Sequence, residues 1–291
     1  MLLALCLLPV TSACAGPDDP PRPGPTAAPR GTWREQIHWV EARTPSGDPH
    51  LLYTRVCQPP GEQPAPVVLI NHGTPPRAGD RPTRRPVVCE NEAAQWFLRR
   101  GYLVVAGMRR GHGPSTGAFA ESSSGCSADG FIASARAASD DIEALVAFAA
   151  TLPRARPDGM VMVGQSTGGW STIGYNTRAH PRVRAMVNMA GGRGGHYNQV
   201  PHNNCRPDQL VLAAGRLGRA ATTPMLWVYT ENDSYFGPTL AREMHRAFTQ
   251  GGGRADLVQL GGFAEDGHTL FFGRGGSAIW GPLVERYLGS R

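Results

Sequence analysis

Ser166, Asp233 and His268 are of the residue types that carry acyl transfer, and each sits in a setting that suits it for the work. Ser166 lies in Gly164-Gln165-Ser166-Thr167-Gly168, directly after the apolar run Met160 to Val163 and directly before a helix-compatible segment. A bare G-x-S-x-G is as often an ordinary turn. Here it falls between a strand and a helix, where a serine hydroxyl can stand exposed on a sharp bend and small neighbours give it room. That bend also aims free backbone N–H groups at the nucleophile, and the N–H of Thr167 is the natural first half of an oxyanion hole.

The base and acid follow in chain order. His268 comes after the apolar run Leu257 to Leu260, and Asp233 after Pro224 to Thr230. His268 would take the proton of Ser166 and return it to the leaving group, and Asp233 would fix the imidazole tautomer. Glu231 is the rival acid, but it lies one pleat away from Asp233; His245 falls inside a helix and His180 precedes Pro181 at a helix end. Asp266 reads as a solvated loop carboxylate. The second oxyanion donor is expected from Gly73 or Thr74, in the loop Asn71 to Pro76 that leaves the run Val67 to Ile70. His72 is expected to stabilise that loop and is also a candidate substrate contact.

Positioning these groups takes a particular scaffold. Strands and helices alternate from Val67 to the end, which predicts a mostly parallel, twisted sheet of about eight strands covered by helices on both faces. Reactive groups then gather at the carboxyl ends of the strands. Trp33 to Glu41 and Leu51 to Val56, around the turn cluster Pro45 to Pro49, predict an antiparallel hairpin at the sheet edge. Helices are predicted over Cys89 to Arg100 and over Trp170 to Arg178, with another opening at Ser139-Asp140-Asp141, whose carboxylates would cap its first turn. Arg109 to Ser115 reads as a turn shaping the rim, from which Arg110 and His112 are candidate contacts. Gly191 to Pro207 lacks periodicity and reads as a loop on the nucleophile's side, with His196, Tyr197 and His202 as candidate contacts. Trp170, Tyr197 and Tyr235 are the candidates for lining a pocket.

Composition bounds the rest. The 291 residues are 41% hydrophobic and 18% charged, so the body of the chain can bury a core. All 29 basic residues are Arg, and no basic run interleaved with aromatics appears, so the net charge of +6 argues for no nucleic-acid partner. Leu2 to Val10 is apolar and too short to span a bilayer, and residues 1–15 are expected to be an export signal. Ala13-Cys14-Ala15 offers a cleavage site, while Ser12-Ala13-Cys14 offers a lipid anchor at Cys14. Residues 16–31, with six prolines, read as a disordered tether and residues 32–291 as one domain. A periplasmic or secreted destination follows, where cysteines oxidise. No cysteine has metal-ligand spacing, and neither a metal nor a cofactor is expected.

From about Trp33 to Tyr287 the chain resembles the α/β-hydrolase superfamily, in the dienelactone-hydrolase-like and prolyl-oligopeptidase-like branch of exported bacterial proteins. The match rests on His72-Gly73, Arg110-Gly111-His112-Gly113, Gly164 to Gly168, Asn232-Asp233 and Gly267-His268. The resemblance implies hydrolysis of an ester, thioester or amide through an acyl-enzyme, without a cofactor. Dienelactone hydrolases proper use Cys where this chain has Ser166, so that particular activity is not expected. The leading expectation is a carboxylesterase acting on small-molecule esters. A peptidase or aminopeptidase and a silent binding protein on the same fold are the alternatives. On this architecture Cys89, Cys126 and Cys205 should lie on the catalytic rim and share at least one disulfide, with Cys57 at the opposite rim.

Overall fold

The computed structural model describes residues 20–290. Residues 1–15, expected as an export signal, and the lipid anchor considered at Cys14 lie outside the described residues.

Nine strands form one sheet: β1 (Gly24–Pro25), β2 (Gln36–Arg43), β3 (Pro49–Cys57), β4 (Val67–Asn71), β5 (Leu103–Gly107), β6 (Met160–Gln165), β7 (Val183–Met189), β8 (Met225–Thr230) and β9 (Ala255–Leu260). Their spatial order is β1-β2-β3-β5-β4-β6-β7-β8-β9. The first three run antiparallel to their neighbours, and β5 through β9 pair in parallel. Every residue of β4, β5 and β6 is buried, as continuous apolar runs require when both faces are covered.

Helices α1 (Glu92–Leu98) and α6 (Gly276–Gly289) cover one face, where Trp96, Phe97 and Trp280 pack together. The other face carries α2 (Ala128–Thr151), α3 (Thr167–Tyr175), α4 (Pro207–Gly218) and α5 (Pro238–Gln250). Helix α4 has no counterpart in the sequence reading, although Pro207 at its first turn and Leu210, Ala213, Ala214 and Leu217 on one face mark it.

Four expectations need correcting. Residues 24–30 do not hang free: Gly24 and Pro25 pair with Trp39 and His38 of β2, and Arg30 bridges to Glu35. Helix α2 does not open at Ser139. Ser127 caps it by accepting from the Gly130 N–H at 3.1 Å, so the apolar stripe already begins at Phe131. Asp140 and Asp141 are therefore internal. The Asp141 carboxylate is buried and accepts from the Arg110 N–H at 2.7 Å, with the His50 ring 2.8 Å away, while Asp140 pairs with Arg110 and Arg178.

The cysteines supply the other correction. Cys126 and Cys205 are joined across the rim as expected, but Cys89 is joined to Cys57. Helix α1 has only seven residues, so the loop before it makes most of the descent across the sheet. It arrives at the level of Cys57, which pairs with Val104 near the start of β5, with Arg55 donating to the Pro86 carbonyl beside it. Cys89 thus belongs to the end of the sheet away from Ser166.

Candidate active site

Ser166 joins β6 to α3 with φ 58° and ψ −126°, a left-handed conformation that a non-glycine residue holds only when its surroundings impose it. Its N–H donates to the Met189 carbonyl, and its own carbonyl accepts from Trp170 and Gly192. The flanking glycines are needed for contact rather than flexibility. A Cβ on Gly164 would lie 2.1 Å from the Gly168 carbonyl oxygen, and one on Gly168 would lie 2.2 Å from that of Asn71.

His268 sits in a single 3₁₀ turn, Gly267–Thr269, beyond β9. A Cβ at Gly267 would meet the Thr230 hydroxyl at 1.8 Å, so only glycine lets this turn dock against β8. Gln165, the residue before the serine, donates its amide to the His268 carbonyl at 3.0 Å and ties elbow and base together. Asp233 is fully buried, and its Oδ1 accepts from the N–H groups of Tyr235 and Phe236. Both carboxylate oxygens lie 3.1 Å from His268 Nδ1. A carboxylate only accepts, so in the neutral ring Nδ1 carries the hydrogen and Nε2 keeps a free lone pair.

Asp266, expected as a solvated carboxylate, has a fixed task. Its Oδ1 accepts from the N–H groups of Ser234 and His268, and its Oδ2 from the Ser234 hydroxyl at 2.5 Å. It staples the loop after β8 to the turn that holds His268. Burial alone would raise its carboxyl, but these donors hold it below the ordinary carboxylate value. Tyr235 stacks on the His268 ring at 4.1 Å between centroids, and His196 stacks on the far side of Tyr235 at 3.5 Å. Burial lowers His196, against the pull of Asp266, so it stays neutral near pH 7.

The loop after β4 closes the other side. A Cβ at Gly73 would fall 2.9 Å from that of Ser166, so this backbone lies against the serine. The Thr167 hydroxyl donates to Thr74 Oγ1 at 2.9 Å, and Thr74 Oγ1 lies 2.9 Å from His112 Nε2. Burial, partly offset by Glu121, brings His112 down to about 4, so its Nε2 is free to accept from Thr74. Among the described residues, the N–H groups of Gly73, Thr74 and Thr167 have no acceptor, which leaves them available to a developing oxyanion. Beneath them Arg109 holds Glu121 with two hydrogen bonds and donates to the His72 carbonyl, and Arg193 reaches the same glutamate.

Two cavities meet at Ser166. The larger, about 480 Å³, is bounded by His268, Tyr235, Asp266, Arg84 and Phe272. The smaller, about 150 Å³, lies beside Thr167, with Ser123, Arg193, Tyr235 and Phe236 around it. Of the candidate contacts, Tyr235 lines both. His72 is buried with Nδ1 on the Gly73 carbonyl and Nε2 accepting from the Arg109 N–H, and Trp170 is buried with its indole donating to Phe131. Neither reaches a ligand; Tyr197 is half exposed and lines neither cavity. Nothing in the sequence marks the Asp266 staple or the His196–Tyr235 stack apart from Ser234, next to Asp233. Among the described residues no His, Cys, Asp and Glu cluster is placed to hold a metal.

The family model for X-Pro dipeptidyl-peptidase (S15 family) matches residues 47–234. No curated protein sequence matches the chain. Solved structures share the fold. The esterase Pf2001 of Pyrococcus furiosus is 14% identical with a TM-score of 0.59, over 87% of this chain and 92% of that one. Acetyl xylan esterase 1 of Thermoanaerobacterium is 13% identical with a TM-score of 0.56, over 89% and 84%. An acylaminoacyl peptidase is 14% identical with a TM-score of 0.60, over 89% of this chain and 42% of its own. Sheet order, elbow and family match agree, and the chain belongs to the S15 peptidase family as an α/β-hydrolase of the dienelactone-hydrolase and prolyl-oligopeptidase-like type.

Proposed function

We propose that this hydrolase is an exported serine carboxylesterase in which Ser166, His268 and Asp233 act as a triad. The observation that carries the reading is the pairing of His268 Nδ1 with both oxygens of a buried Asp233, in a cavity that Ser166 shares. Nε2 of His268 removes the Ser166 proton as Oγ attacks the ester carbonyl. The N–H groups of Thr167 and of Gly73 or Thr74 receive the oxyanion. His268 then protonates the leaving alcohol, and a water molecule, deprotonated by the same imidazole, releases the acid. The two disulfides accord with a periplasmic or secreted location, reached through residues 1–15. No helix among the described residues is long and apolar enough to cross a membrane.

A peptidase of the X-Pro type is the second reading, favoured by the family match. Ester over peptide rests on the cavity itself: among the described residues Asp266 is the one carboxylate in its wall, held by three donors, where a peptide's terminal ammonium calls for a carboxylate pair. The test is a fluorophosphonate probe together with nitrophenyl esters and aminoacyl or X-Pro nitroanilides, with Ser166→Ala alongside. Labelling that persists in Ser166→Ala overturns the nucleophile, and anilide turnover faster than ester turnover overturns the esterase.

A further inference from the structure

The wall between the two cavities decides which half of an ester goes where. Among the described residues, His268 lines the 480 Å³ cavity and not the 150 Å³ one. The base must return its proton to the leaving oxygen, so the leaving group departs on the His268 side. The acyl group is left with the smaller cavity, and a space of about 150 Å³ holds a benzene-sized group, so this side takes short acyl chains.

The leaving-group side holds one cationic and one anionic side chain, differently engaged. Arg84 and Asp266 are the Arg, Lys, Asp or Glu side chains in its wall, and Asp266 is fixed beside His268 by the neutral donors of Ser234 and His268, which hold it in place without cancelling its charge. Arg84 is exposed and forms no ion pair among the described residues. Its backbone is nevertheless fixed. The Arg84 N–H donates to the Arg81 carbonyl at 3.2 Å, the Gly113 N–H donates to the same oxygen at 2.8 Å, and the Arg81 guanidinium lies 3.7 Å from the centre of the Phe119 ring. A Cβ at Gly113, where φ is 55°, would lie 2.5 Å from the Arg84 carbonyl oxygen. Gly113, at the end of the Arg110–Gly113 turn, therefore fixes the backbone from which the Arg84 side chain borders the mouth of the cavity. Arg77, Arg81 and Arg85 outnumber Asp80 on the segment that carries Arg84, so this side of the mouth draws anions, against Glu265 and Asp266 on the loop after β9.

We propose that the substrates are short-acyl esters whose leaving alcohol or phenol bears a carboxylate, received by Arg84; this rests on the esterase reading above. One water is consumed per turnover. Ser166 Oγ takes the acyl group, the serine proton passes through His268 to the departing oxygen, and hydrolysis of the acyl-enzyme yields the short acid and regenerates the serine.

Three acetyl esters of matched shape test this: 3-acetoxybenzoate, its methyl ester and 3-acetoxy-N,N,N-trimethylanilinium, each rate being normalised to its hydroxide-catalysed hydrolysis. The expected order of kcat/KM is anion, neutral, cation, with steps of roughly threefold to tenfold that shrink as salt approaches 1 M. Arg84→Gln should bring the ratios towards unity, mainly through KM, whereas Arg85→Gln, outside the cavity wall, should retain them. Turnover of all three esters without charge preference, or a preference that survives Arg84→Gln, overturns this inference alone. Failure on every ester with cleavage of X-Pro nitroanilides overturns the esterase reading and this inference with it.

Discussion

The two disulfides are predicted to separate stability from activity. Cys126–Cys205 spans 79 residues and Cys57–Cys89 spans 32. Loop-closure entropy puts the stabilisation at about 4.5 kcal/mol for the longer bridge and about 3.7 kcal/mol for the shorter. At roughly 2 °C per kcal/mol for a chain of this size, removing either pair as a double alanine variant should lower Tm by roughly 7 to 9 °C. Catalysis should respond unequally. Cys205 donates its N–H to the Gly194 carbonyl at 2.9 Å, and Gly194 and Ser123, on the two bridged loops, both border the acyl-side cavity. Freeing these loops should lower kcat/KM by roughly tenfold or more, since small displacements at a reacting centre are amplified. Cys57 and Cys89 are buried at the amino end of β5, so their removal should leave kcat/KM near wild type at temperatures below the transition. Thermal melts with ester kinetics on both variants check this. Equal kinetic losses, or a loss confined to the Cys57–Cys89 variant, would refute the reasoning.

Three further outcomes are expected. Asp233→Asn should lower kcat by about 10⁴ with little change in Tm, because the amide no longer selects the Nδ1–H tautomer; retained turnover would point to another acid. Gly168→Ala forces a Cβ to 2.2 Å from the Asn71 carbonyl and should cost about 3 kcal/mol or more, read as a lower urea midpoint. His112 is held at about 4 by burial, below its unfolded value near 6.5, so the unfolded chain binds the extra proton in that window. Stability should then be full above pH 6.5 and fall by roughly 3 kcal/mol as pH drops to about 4. His112→Asn should flatten that slope in urea titrations at several pH values, and an unchanged slope would assign it to other groups.

What was legible in the sequence was whatever depends on spacing along one element. Buried parallel strands read as apolar runs, and Gly164 to Gly168 carries its own geometry because each glycine answers to a contact within the elbow or with β4. Ser166, Asp233 and His268 come to one end of the sheet because each follows the end of a parallel strand. What failed depends on contacts across the chain. Asp141 has the look of a cap, yet its carboxylate meets Arg110 and His50, which are distant in sequence. Cys89 followed a strand, but the shortness of α1 moved it to the far end. The stack of His196 and Tyr235 on His268 joins three loops, after β7, β8 and β9, whose polar, aperiodic sequences give no hint of register.

The short strand at Gly24–Pro25 sets a leash. Ten residues separate Gly24 from Cys14, and an extended chain reaches at most about 3.6 Å per residue. Were a lipid to sit on Cys14, the outer edge of the sheet would hover within about 36 Å of the bilayer surface. Without the pairing to β2, play would extend to the next fixed point, near Arg30, and add roughly 20 Å to the radius. On an anchored chain, two backbone pairings would thus set how far from a membrane the cavity mouth works.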